Sequence, residues 1–204
     1  MQITLSGILL QGTTNFKGDV LLKFLSQNGE LIPVLLKKSF FKLHSSFFIE
    51  STILSISIDT KYSIPVVVDV DLEKSFYQQF LQRDLTNYLF FILEVFLLVA
   101  KEGLENQHLY TILLQVLNTK VNIKFTLCYL LINILVKQGL AEEKLFDYYD
   151  IFLVNPVGAD LDSSLFINFK DALQIDFMVK SLIDLFEERF ELKLKTKTIL
   201  NIDL

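Results

Sequence analysis

The chain changes its hydrophobic period once, at about Asp71, and that change constrains the fold more than any other feature. Before it, Leu54, Ile56 and Ile58 alternate with Ser55 and Ser57, the pattern of a half-buried strand. After it, Phe76, Tyr77, Phe80, Leu81, Tyr88, Leu89, Ile92, Phe96 and Val99 recur at three- and four-residue steps, the pattern of helix. Strands first and helices afterwards define an α+β chain.

The strand region reads in some detail. Ile3, Leu5 and Leu9 lie in an extended run that also holds Gly7, where a strand can bend or bulge. Val20 to Leu25 and Leu31 to Lys38 flank Asn28-Gly29, a hairpin signal because both residues tolerate positive φ. Pro33 marks an edge or a bulge. Phe47 to Ile58 is a fourth strand, and a turn at Asp59-Thr60-Lys61 leads to a fifth at Ile64 to Val70. Five strands in about seventy residues predict a five-stranded OB-fold β-barrel over residues 1–71.

Residues 72–204 are expected to form an all-α helical bundle. The first helix would be capped by Asp71 or Ser75, the second spans about His108 to Asn118, and the third about Asn122 to Gln138, stopping at Gly139. Residues 139–168 read as irregular and acidic, with Asn155-Pro156 and Val157-Gly158 as turns. A last helix from about Lys170 to Phe190 carries Leu173, Phe177, Leu182, Leu185 and Phe186 on its apolar face.

Composition narrows the function classes. A chain that is 51% hydrophobic, with 19 Phe, can bury a core. The apolar runs Tyr88–Ala100 and Phe125–Val136 fall short of the ~20 residues of a spanning helix, so no membrane partner is expected. No signal-peptide order opens the chain, and one cysteine, Cys128, fits a reducing cytoplasm. The net charge is −5, but residues 139–171 alone carry two Lys and seven acids, whereas residues 1–70 carry six Lys and five acids. Patches rather than totals steer phosphates, so a nucleic-acid ligand survives the overall sign.

The chain holds no catalytic inventory. Neither GxGxxG nor GxxxxGK[ST] occurs, and no GxSxG elbow is present. His44 and His108 are the only histidines, and neither has a Cys or His at metal spacing. Glu142-Glu143 and Glu187-Glu188 are adjacent pairs, which on a helix do not face one another. The expectation is a binding protein with no enzyme activity, no cofactor and no metal.

Binding has more to rest on. The segment Lys37-Lys38-Ser39-Phe40-Phe41-Lys42-Leu43-His44, read as a loop, interleaves lysine with two phenylalanines, a pairing that contacts phosphates and stacks bases. Its alternative reading has Phe40 and Phe41 plugging one end of the barrel. Lys17 and Lys61 fall on the two loops that OB-folds use for nucleic acid, and Lys23 lies on the second strand. A second candidate surface places Lys120 and Lys124 on one helical face beside Leu127 and Leu131, suited to an acidic peptide tail; a solvated lysine pair over a core helix is the other reading.

Several stretches resemble, in order, the RecO family of bacterial recombination mediators in DNA repair. Phe16-Lys17-Gly18-Asp19-Val20-Leu21-Leu22-Lys23-Phe24-Leu25 followed by Gly29 is similar to the family's first hairpin, with Lys37-Lys38 ending the next strand. Tyr88-Leu89-Phe90-Phe91-Ile92-Leu93-Glu94-Val95 resembles its first helix, and Leu109-Tyr110-Thr111-Ile112-Leu113-Leu114 with Leu117 its second. Lys124-Phe125-Thr126-Leu127-Cys128-Tyr129-Leu130-Leu131, closing on Gly139-Leu140, resembles its third, and Leu192 to Leu200 its short basic C-terminus. The resemblance implies an OB-fold followed by a helical bundle, and a cytoplasmic, nucleoid-associated protein. It implies binding and annealing of single- and double-stranded DNA, acting with RecR and the acidic C-terminal tail of single-stranded-DNA-binding protein. Two departures stand out: residues 140–168 have no cysteine where many members carry a four-Cys zinc module, and Lys37, Lys38 and Lys42 stand where members tend to be rich in Arg. Lysine binds phosphate as a point charge without the fork of arginine. The competing expectation is a non-catalytic interaction adaptor whose OB-like barrel binds no DNA.

Overall fold

The computed structural model describes residues 1–119, 122–140 and 172–200. It is α+β, and it divides into two compact units, Met1–Thr111 and Ile112–Leu204.

In the first unit five strands close into a ring: β1 (Gln2–Thr14), β2 (Val20–Ser26), β3 (Leu31–Leu36), β4 (Thr52–Asp59) and β5 (Val66–Ser75), in the order β1-β2-β3-β5-β4. Every seam is antiparallel except β3–β5, which is parallel and rests on the pair Leu35–Val66. The two-residue side-chain period puts Val20, Leu22 and Phe24 of β2, Val34 and Leu36 of β3, and Leu54, Ile56 and Ile58 of β4 into one interior cluster. β1 departs from simple alternation, because Ile8, Leu9 and Leu10 are all buried. Leu9 joins the ring's interior, while α3 (Thr86–Val99) packs against β1.

Gly7 is not the bulge that its place in an extended run suggested; the register of β1 and β2 shifts between Leu9 and Gln11. A Cβ at Gly7 would lie 2.6 Å from the Leu25 carbonyl oxygen, so glycine serves close strand approach there. The β2–β3 hairpin forms where expected. Gly29 alone takes positive φ (77°), with its N–H donating to the Ser26 carbonyl at 2.8 Å. That is a tight turn followed by a left-handed glycine.

Three features of the region from β3 to α3 depart from the sequence reading. The segment read as a loop from Lys37 to His44 contains a helix, α1 (Lys38–His44), followed by a 3₁₀ turn at Ser45–Phe47. Seven residues give too little length for a helical period to show. The strand then continues past Asp71 to Ser75, so neither residue caps a helix. The long helical run is broken into α2 (Tyr77–Gln82) and α3 by Asp84, which takes φ 54°. Leu85 N–H reaches the Phe80 carbonyl and Asp84 N–H the Leu81 carbonyl, the paired bonds of a left-handed helix stop. Without a glycine at 84 the stop carries no sequence signal.

In the second unit α5 (Ile123–Lys137) is buried along almost its whole length, and α6 (Ala172–Phe190) packs against it. α4 (Gln107–Leu117) spans the boundary between the units. Both ends of α5 are where the sequence put them. Asn122 Oδ1 accepts from Lys124 N–H at 2.9 Å, while Gly139 at φ 69° lets Leu140 N–H return to the Leu135 carbonyl. Ile175, Val179, Leu182, Ile183 and Phe186 form the buried face of α6; Phe177, expected there, is 73% exposed. The acidic stretch 141–171 lies outside the described residues.

Two substitutions test this account. Asn122→Ala removes the α5 cap and is expected to cost about 1 kcal/mol in urea unfolding. Gly29→Ala is expected to cost more than about 1 kcal/mol, because its φ is 77° and a Cβ there would meet the Asn106 carbonyl oxygen at 1.7 Å.

Candidate nucleic-acid interface

The turn between β1 and β2 and the start of α1 are tied together by Asp19. Its Oδ1 accepts from Lys38 N–H at 2.9 Å, satisfying a donor in the first turn of α1. Its Oδ2 accepts from Lys37 Nζ at 3.3 Å. The backbone N–H of Lys38 lowers the Asp19 carboxyl most; desolvation opposes it, and the bond and charge of Lys37 with the charge of Lys17 leave it below its ordinary range. Asn15 organises the turn itself: its Oδ1 accepts from the N–H groups of Lys17 (2.9 Å) and Asp19 (3.1 Å). Asn15 N–H donates to the Asp19 carbonyl at 2.8 Å, and Gly18 N–H to the Asn15 carbonyl at 2.9 Å.

The structure therefore brings Lys17, Lys37 and Lys38 around one carboxylate, with Lys42 exposed on the same short helix. Lys37 is shared with Asp19. Lys17, Lys38 and Lys42 take part in no ion pair among the described residues. Lys23 is half-buried on β2, paired across to Gln11 and Pro33. Lys61 is exposed on the β4–β5 turn, where its N–H donates to Asp59 Oδ1 at 3.1 Å.

Phe40 and Phe41 are half-buried and pack with Phe47 and Phe48 against the ring's interior cluster. Phe40 also lies against the His44 ring, with centroids 4.4 Å apart. These contacts favour the plug over the stacking platform for both rings. On the two lysine-bearing loops the aromatic residues that face solvent are ones the sequence did not single out as contacts: Phe16, 94% exposed on the β1–β2 turn, and Tyr62, 61% exposed on the β4–β5 turn. Each adjoins a lysine, Lys17 or Lys61. Their signal was an isolated aromatic within a polar turn, Thr13-Thr14-Asn15-Phe16-Lys17-Gly18 in the first case.

The second candidate surface does not assemble. Leu127 and Leu131 are buried in the core of the second unit and offer nothing to a peptide tail. Lys124 lies 2.5 Å from Asp176 Oδ1 of α6, an ion pair without the alignment of a hydrogen bond. Lys120 lies outside the described residues. The sequence could not foresee this arrangement, because Asp176 is 52 positions further on.

Burial pushes the Cys128 thiol up to about 12, which makes it a core group and a poor nucleophile. Among the described residues no cluster of three His, Cys, Asp or Glu side chains is arranged to hold a metal ion, and no helix is long and apolar enough to cross a membrane. No protein-family model matches the chain, and no curated protein matches it.

The Asp19 hub has a defined pH signature. Its carboxyl titrates below the ordinary value of 3.8 in the folded chain, so the unfolded chain takes the proton first as pH falls. Its contribution is complete above the ordinary value and is lost as pH drops through the folded one. In urea unfolding, the stability gap between the unaltered chain and Asp19→Asn should stay constant near neutrality and narrow below about pH 4. A gap independent of pH would show that the carboxylate charge is not what Lys37 and Lys38 use.

Proposed function

We propose that this chain is a non-catalytic DNA-binding recombination mediator of the RecO kind, and that its ring of strands is an OB-fold. The observation that carries the reading is the gathering of Lys17, Lys37 and Lys38 about Asp19 at the β1–β2 turn, with Lys42 exposed on the same α1. The turn is one of the loops by which OB-folds hold nucleic acid. The strand order β1-β2-β3-β5-β4, closed by a parallel β3–β5 seam with a helix between β3 and β4, supports the OB assignment. Exposed ammonium groups on ordered backbone suit phosphate oxygens, and an exposed aromatic on each of the two loops suits unpaired bases.

On this reading the protein binds and anneals DNA in the bacterial cytoplasm at the nucleoid, with RecR and the acidic tail of single-stranded-DNA-binding protein as partners. The tail would dock elsewhere than on Leu127 and Leu131. The competing adaptor reading draws on Asp69, Asp71 and Glu73, exposed in alternation along β5, which repel phosphate from that part of the ring.

Salt titration of binding to a labelled oligonucleotide separates the two. A single strand held by all four lysines should give a log–log slope of about −3, from roughly 0.7 per phosphate contact. Lys38→Glu combined with Lys42→Glu should flatten the slope and weaken binding at low salt by at least about tenfold. Absence of salt-sensitive binding, with or without RecR, would leave the adaptor.

A further inference from the structure

Phe16 presents nearly its whole surface to water, being 94% exposed. A single exposed apolar side chain is ordinary on a protein surface. This one is braced. The bonds of Asn15 to Lys17, Gly18 and Asp19 close the turn on both sides of it, and Asp19 fastens the turn to α1 through Lys37 and Lys38. The ring is therefore held out on a fixed backbone.

Its surroundings are cationic. Lys17 Nζ lies 5.6 Å from the ring centroid, and Lys37 and Lys38 meet Asp19 three residues further along. A flat apolar face with one ammonium group beside it and a second on the adjoining carboxylate suits a base with free faces, flanked by phosphates. A paired base inside a duplex has both faces covered by its neighbours and must leave the stack to meet such a ring.

We infer that Phe16 is a base-stacking residue that makes this surface select single-stranded over duplex nucleic acid. The inference rests on the nucleic-acid reading above and adds to it a residue and a preference. The lysines attract either form, because phosphates are common to both; Phe16 rewards only the unpaired one.

The chain contains no tryptophan, so Phe16→Trp places a lone reporter at the site. The full chain is titrated with an oligothymidylate and with a duplex of equal length, by anisotropy for all variants and by tryptophan fluorescence for F16W. Phe16→Ala should lower single-strand affinity about tenfold, change duplex affinity less than about twofold, and leave the salt slope intact because no charge is lost. Phe16→Tyr should bind as the unaltered chain does. Phe177→Ala, removing an exposed phenylalanine of the second unit, should change neither affinity. Single strands should quench the F16W emission and the duplex should not.

Three results overturn the inference: unchanged single-strand binding in Phe16→Ala, equal loss for both ligands, or F16W emission blind to bound single strand. Each of these leaves salt-sensitive binding by the unaltered chain, and with it the nucleic-acid reading, in place. If the unaltered chain binds neither ligand in a salt-sensitive way, that reading falls and the inference falls with it.

Discussion

The ring of strands is completed at its last seam by one parallel bridge, Leu35 to Val66, in which Leu35 N–H donates to the Pro65 carbonyl at 2.7 Å. The other four seams are antiparallel ladders of six or more pairs, three of them between strands consecutive in sequence and the fourth, β1–β4, between residues 45 to 57 positions apart. The β3–β5 seam must bring together residues thirty-one positions apart after the chain has passed through α1 and β4. Pro33 lies two residues before the bridge and has no N–H to donate on the edge that Leu35 turns to β5, whereas β3 pairs along its length with β2 on the other edge. Closure at that point encloses the interior cluster from Leu9 to Val70.

The candidate interface depends on the same closure. α1 follows β3 directly, and its phenylalanines pack against the enclosed cluster, which fixes Lys37 and Lys38 on the outside at the helix start and Lys42 on the outside of its last turn. Asp19 then joins that helix to the β1–β2 turn. Two lysine-bearing segments eighteen or more residues apart become one surface because one carboxylate accepts from both the side chain of Lys37 and the backbone of Lys38. The charge of Asp19 also limits that surface, since it draws on Lys37. The solvent-exposed pair contributes little stability of its own, so its main effect is geometric.

The second unit is built on a different principle. α5 is buried nearly all round, and its few polar groups are satisfied locally: Thr126 donates to the Asn122 carbonyl, Asn133 Nδ2 to the Tyr129 carbonyl, and Tyr129 to Gln115. Lys124 is held by Asp176 rather than offered to solvent, while the chain after α6 is fastened by Glu187, which accepts from Leu194 N–H and Lys197 Nζ. Desolvation pushes the Glu187 carboxyl up, but the bond and charge of Lys197, the Leu194 N–H and the charge of Lys193 together hold it below its ordinary range. The basic ending is thus partly folded back onto its own helix.

Local rules were legible in the sequence because each depends on neighbours along the chain. The two-residue period marked the strands, Asn28-Gly29 marked the hairpin, and Asn122 and Gly139 marked both ends of α5. Features set by contact across the chain were not legible. The helix at Lys38–His44 is short and is held by packing, and the break at Asp84 uses a left-handed residue that is not glycine. Phe40 and Phe41 turned inward because the ring's interior lies beneath them, whereas Phe16 stayed outside because its turn is closed by Asn15 instead. By itself the sequence determined that the five strands precede the long helices and that lysine and phenylalanine recur together in the first seventy residues. Only the tertiary structure decided which of those lysines share a surface and which phenylalanine faces water, because burial and proximity are properties of the closed ring rather than of spacing along the chain.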